Sequence, residues 1–75
     1  MEELLQQLKA IKKGVDFENE EELFDGGFLD SFDVIRIISM IKKEYEIVVP
    51  PSHIVPENFN SAKAILAMIE ELEDE

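Results

Sequence analysis

The stretch Asp30-Ser31-Phe32-Asp33-Val34-Ile35-Arg36-Ile37-Ile38-Ser39-Met40-Ile41-Lys42-Lys43-Glu44-Tyr45 decides the fold. At ~100° per residue, Val34, Ile37, Ile38, Ile41 and Tyr45 fall on one stripe, the spacing of a helix with a single core-facing side. Asp30 offers a side-chain oxygen to cap that helix. Asp33 puts acid in its first turn, where the exposed N–H groups favour negative charge. The predicted helix therefore begins near Ser31 and runs to about Tyr45. Pro50-Pro51 is expected to end regular structure beyond it.

Working outward, a first helix is expected from about Glu2 to Lys13. Leu4, Leu8 and Ile11 recur at helical spacing with Leu5 beside them, and Gly14 suits the stop. Residues 15–30 form a long connection, in which Leu23, Phe24, Phe28 and Leu29 are expected to pack onto the surface. On the other side, Val55-Pro56-Glu57-Asn58-Phe59 reads as a short helical turn with Pro56 at its first position. Ser61 caps a last helix whose stripe is Ala62, Ile65, Ile69 and Leu72, with Leu66 and Met68 at its margins. The acidic run at 70–75 opposes the helix dipole and is expected to fray. The expectation is an all-α fold: a small antiparallel bundle of three main helices plus one short helix, in one domain over residues 1–75.

Composition narrows the function. The chain has 75 residues, 18 acidic and 7 basic, for a formal net charge of −11. Nucleic-acid binding neutralises phosphates with Lys and Arg, and an anionic membrane surface attracts the same cations, so both partners are disfavoured. No apolar run approaches the ~20 residues of a membrane span. The opening MEELLQQLKAIKK begins with acid and is amphipathic, unlike a secretory signal. A cytoplasmic protein is the expectation. There is no cysteine, so neither a disulfide nor a thiolate metal site can staple the small core. The charge is uneven: residues 14–30 carry seven acids and no base, whereas residues 31–46 balance three acids against three bases.

Few residues could carry chemistry. No Gly-rich phosphate loop is present. The lone His53 lies in a Pro-rich loop beside Ser52, and side chains adjacent in sequence are expected to point apart. A calcium loop counted from Asp25 would need oxygen ligands at residues 27, 29 and 36, where Gly27, Leu29 and Arg36 stand. Ser31 remains. Asp30 already supplies the cap, which leaves the Ser31 hydroxyl free at the start of a helix, where a phosphate ester is electrostatically favoured. Taking Ser31 as zero, Ile35 lies at ~40° and Phe32 at ~100°, while the core stripe centres near ~290°. Apolar side chains off the core and beside an exposed serine suggest a docking surface. The capping role alone would be the plainer reading of an Asp-Ser pair.

With these residues in view, the chain resembles the acyl carrier protein family, the phosphopantetheine-bearing carriers that include peptidyl and D-alanyl carriers. The resemblance runs over essentially the whole chain. It rests on Phe24-Asp25-Gly26-Gly27-Phe28-Leu29-Asp30-Ser31, on the apolar helix ending in Tyr45-Glu46-Ile47, and on Ile54 to Ser61. It implies that Ser31 accepts 4′-phosphopantetheine from coenzyme A through a separate phosphopantetheinyl transferase. The arm's thiol would then carry an acyl or aminoacyl thioester, and the monomeric chain would present cargo and catalyse nothing itself. It also implies partner recognition by Asp30, Phe32, Ile35, Arg36 and Ser39. Fatty-acid carriers usually place Leu after the serine and present acid on the second helix. Here Phe32 follows, and Arg36, Lys42 and Lys43 stand on outward faces. That difference favours a dedicated pathway, with an adenylating enzyme that loads an amino acid or another acid and with downstream transferases, over general fatty-acid synthesis. The alternative is a non-carrier acidic helical module that binds a basic partner; a hydrolase built on Ser31 lacks a base and an oxyanion partner.

Overall fold

A computed structural model describes residues 1–74. Four α-helices lie along the described residues: α1 (Glu2–Ile11), α2 (Ser31–Tyr45), α3 (Pro56–Phe59) and α4 (Ala62–Glu73). α2 begins and ends where its apolar stripe and Asp30 cap place it. The residue that follows it, Glu46, turns into the left-handed region at φ 57°, which halts the helix. Ser61 caps α4 by accepting a hydrogen bond from the Ala64 amide at 3.0 Å, and Pro56 opens α3 at its first turn. No helix among the described residues is long and apolar enough to cross a membrane.

α1 packs on α2 and α4, and α3 packs on α4. Two side-chain contacts set the direction of α1 against α2. Gln7 Oε1 accepts from the Tyr45 hydroxyl at 2.9 Å, and Lys12 Nζ donates to Asp33 Oδ2 at 3.0 Å. The later residue of α1's segment meets the start of α2 and the earlier one meets its end, so the two run antiparallel. Burial, then the charges of Glu3, Glu44 and Glu73, push the Tyr45 phenol above its ordinary value, so it stays a neutral donor in the neutral range.

The core joins Leu4 and Leu8 of α1, Val34, Ile37 and Ile41 of α2, Phe59 of α3, and Ile65, Met68 and Ile69 of α4. Ile38 and Tyr45 are half-buried at its edge. Several expectations are corrected here. α1 stops at Ile11 rather than Lys13, because Lys12 is already extended (φ −137°, ψ 107°). The prolines do not end regular structure: Pro51–His53 forms one 3-10 turn, with Pro51 at its first position, where its missing N–H costs nothing. Met68 is fully in the core rather than at the margin of α4. Phe28 is exposed rather than packed, and the aromatic ring that seals the connection is Phe17, which is 1% exposed. The acidic run is helical through Glu73, and Glu75 lies outside the described residues.

One residue, Asn60, ties down the later part of the connection between α1 and α2. Asn60 Oδ1 accepts from the amides of Phe24 at 3.1 Å and Asp25 at 3.0 Å. Its Nδ2 donates to Asp25 Oδ2 at 2.9 Å, and its carbonyl accepts from the Leu23 amide at 2.9 Å. The junction between α3 and α4 thereby fixes residues 23–25, and Leu23 and Leu29 drop into the core. Replacing Asn60 by Ala removes three of these four hydrogen bonds. The expected loss in urea unfolding is about 1–3 kcal/mol, with faster amide exchange at Phe24 and Asp25; unchanged exchange there would contradict the assignment.

Candidate functional site

The start of α2 is a closed electrostatic unit. Asp30 Oδ1 accepts from the Asp33 amide at 2.9 Å, and Asp33 Oδ2 accepts from the Asp30 amide at 3.1 Å. This is a capping box made of two aspartates. Four N–H groups lack an intrahelical partner at a helix start. The box uses those of Asp30 and Asp33 and leaves those of Ser31 and Phe32. Ser31 sits at the first helical position, exposed, and its hydroxyl is no part of the box. The sequence expectation of a free serine beside its own cap is met in this geometry.

Asp33 carries more than the dipole argument assigned to it. It is the one buried charged side chain among the described residues, 2% exposed. Burial alone would raise its carboxyl. The hydrogen bond from Lys12, the Asp30 amide and the Lys12 charge outweigh that and hold it below its ordinary value of 3.8. Arg36 Nη1 stands 3.8 Å from the other oxygen. The spacing Asp-x-x-Asp was the available signal for the box. Nothing local in the sequence pointed to Lys12.

The chain approaches Ser31 through Gly26-Gly27. Gly27 adopts φ +83°, and a Cβ on Gly26 would lie 2.5 Å from the Glu22 carbonyl oxygen. Both positions therefore exclude ordinary side chains. Beside Ser31 runs an apolar groove of about 230 Å³, lined by Phe24, Val34, Ile35, Ile38 and Ile54. A narrower cavity of about 60 Å³ lies beyond, between Phe24, Val34 and the 54–59 segment. Phe32 is 73% and Ile35 57% exposed, so neither covers the preceding loop. Asp30, Arg36 and Ser39 are also exposed. The expected recognition residues are not one patch. Ile35 lines the groove with Ser31, whereas Arg36 and Ser39 line a second depression between α1 and α2 with Gln7, Ile11, Met40 and Lys43.

The expectation for His53 is corrected in one respect. Ser52 Oγ and His53 Nδ1 lie 3.2 Å apart rather than pointing away from each other. The other ring nitrogen is 3.8 Å from Glu71 Oε1. The imidazole is thus directed at Ser52 and α4, which gives Ser31 no base from that ring.

Because Asp33 is depressed in the folded state, its contribution is complete at neutral pH. It is lost as pH falls below 3.8 and through the lower folded value. The melting temperature of the wild type should therefore exceed that of Asp33→Asn by a constant margin above about pH 5, and the margin should close below pH 3.8. Using the difference removes the separate gain from relieving acid self-repulsion. A margin that grows on acidification would contradict the assignment.

Comparison with known proteins meets this geometry. The family described as "Phosphopantetheine attachment site" matches residues 2–71. D-alanyl carrier proteins of Streptococcus equi subsp. zooepidemicus and Streptococcus equi subsp. equi are each 41% identical over 54 residues, covering 72% of this chain and 68% of theirs. With a four-helix fold and an exposed serine at the start of a capped helix already in place, the chain belongs to the phosphopantetheine-binding family of stand-alone carrier proteins, whose prosthetic group is covalently attached 4′-phosphopantetheine.

Proposed function

We propose that Ser31 is the attachment residue and that the protein is a D-alanyl-type carrier, loaded by an adenylating enzyme and unloaded by downstream transferases. The observation that carries this is the exposed Ser31 hydroxyl at the first position of a 15-residue helix whose cap is completed without it. In the attachment step, Ser31 Oγ bonds to the phosphorus of coenzyme A's pantetheine phosphate and gives up its proton. The bond from that phosphorus to the nucleotide's bridging oxygen breaks, and adenosine 3′,5′-bisphosphate leaves. The transferase supplies the catalysis. The residues fit the product: a phosphodiester on Ser31 would be favoured by the positive end of α2, where the capping box leaves the amides of Ser31 and Phe32 unused, by about 0.3–1 kcal/mol at an exposed site. When bound, the group supplies the thiol that this cysteine-free chain lacks and carries the cargo as a thioester.

Two features support a small polar cargo. The relatives are D-alanyl carriers. The cavity beyond the groove holds only about 60 Å³, well below the 300–1,000 Å³ of a pocket that engulfs a ligand, and it is apolar. An aminoacyl group with a charged amine gains nothing there and stays outside. The partner surface is Asp30, Phe32 and Ile35 beside Ser31, with Arg36 and Ser39 as a second contact in the depression between α1 and α2. α2 carries Arg36, Lys42 and Lys43 against Asp33 and Glu44, so its partner needs carboxylates as well as bases.

Incubation with coenzyme A and a broadly acting phosphopantetheinyl transferase should add one phosphopantetheine by intact mass, and Ser31→Ala should abolish it. The loaded protein should then take up D-alanine from a D-alanine-adenylating enzyme with ATP. An unmodified wild type beside a modified control carrier would overturn the attachment site; uptake of fatty acyl groups but not D-alanine would overturn the cargo.

A further inference from the structure

We infer that Lys12, outside α2 altogether, is a positioning residue for the loading of Ser31, and that Asp33 is a two-partner carboxylate through which it acts. This rests on Ser31 being the attachment residue.

The geometry is a short chain of contacts. Lys12 Nζ lies 3.0 Å from Asp33 Oδ2. The same oxygen accepts the Asp30 amide at 3.1 Å, the backbone nitrogen immediately before Ser31. A charge on the α1 side is thus two contacts away from the peptide that sets where Ser31 begins its helix. The opposite oxygen of Asp33 faces Arg36 Nη1 at 3.8 Å, an ion-pair distance that is too long for a hydrogen bond. Lys12 and Arg36 are the two cations paired with this carboxylate among the described residues.

Asp33 is buried, so it cannot go without a cation cheaply. While Lys12 holds Oδ2, that oxygen stays on the Asp30 amide and Arg36 stays largely exposed. Without Lys12, the remaining cation within reach is Arg36, one turn along the same helix. Its approach draws the carboxylate toward α2's outer face and away from the Asp30 amide. Two effects follow together: the capping box loosens beside Ser31, and Arg36 is withdrawn from the surface assigned to partners. Lys12 therefore sets both the presentation of the serine and the availability of the arginine.

A loosened helix start lowers the fraction of chains that present Ser31 correctly. A transferase then sees a KM raised by the inverse of that fraction, while kcat for the bound carrier is little changed. The test is initial-rate kinetics on the full chain with a phosphopantetheinyl transferase and coenzyme A, well below the melting temperature. Lys12→Met should raise KM for the carrier about threefold to tenfold with kcat within about twofold, and Lys12→Arg should restore KM. The Asp30 amide resonance of the unloaded protein should move in Lys12→Met and return in Lys12→Arg. A Lys12→Met protein that melts lower but loads with wild-type KM would overturn the inference, as would equal impairment by Met and Arg. A wild type that takes up no phosphopantetheine, or Ser31→Ala that still does, would instead overturn the attachment site.

Discussion

The carboxylate of Asp33 is the constraint on which the rest of this small molecule depends. It is buried, so it must be paired and hydrogen-bonded or it would destabilise the fold. Meeting that requirement draws in Lys12 from beyond α1 and the Asp30 amide, with Arg36 beside it. The consequences are structural and chemical at once. α1 is fixed against α2 at one end, with Gln7 and Tyr45 fixing the other. The first turn of α2 is closed by two aspartates, and Ser31 is left outside the closure. A serine that had to cap its own helix would have its hydroxyl occupied; this one does not.

Charge gains meaning only when it is located. A net −11 disfavours nucleic acid and anionic surfaces. It does not make α2 an acidic recognition helix, because the excess lies in residues 14–30 and in the C-terminal run. Within α2, Asp33 is turned inward and Arg36 outward. The exposed face at the start of α2 is therefore apolar at Phe32 and Ile35, between Asp30 before them and Arg36 after them.

Much of this was readable from the sequence, for a local reason. The period of Val34, Ile37 and Ile41 and the cap at Asp30 are encoded within one helix, so its bounds, its buried face and the exposure of Ser31, Phe32 and Ile35 all follow from spacing. What the sequence withheld depends on contacts between distant segments. Phe17 lies between two acids and Phe28 between Gly27 and Leu29, yet tertiary packing seals the first in the core and leaves the second exposed. Asn60 looks like an ordinary residue before a helix cap, and its hold on residues 23–25 exists only because the fold brings the two loops together. Asp33 was legible as a favourable first-turn acid, but its burial is set by a lysine in another element. Pro51 opens a 3-10 turn although proline is expected to break structure, since it interrupts a helix only from within it.

The most direct measurement is a double-mutant cycle between Lys12 and Asp33 in urea unfolding at neutral pH, using Lys12→Met, Asp33→Asn and the pair. Lys12 is partly exposed, so the coupling should be modest, about 1 kcal/mol in favour of the intact pair. Repetition in the Arg36→Met background should enlarge it, because the carboxylate then has no second cation. Additivity of the two substitutions in both backgrounds would contradict the claim that Lys12 and Asp33 together hold the start of α2.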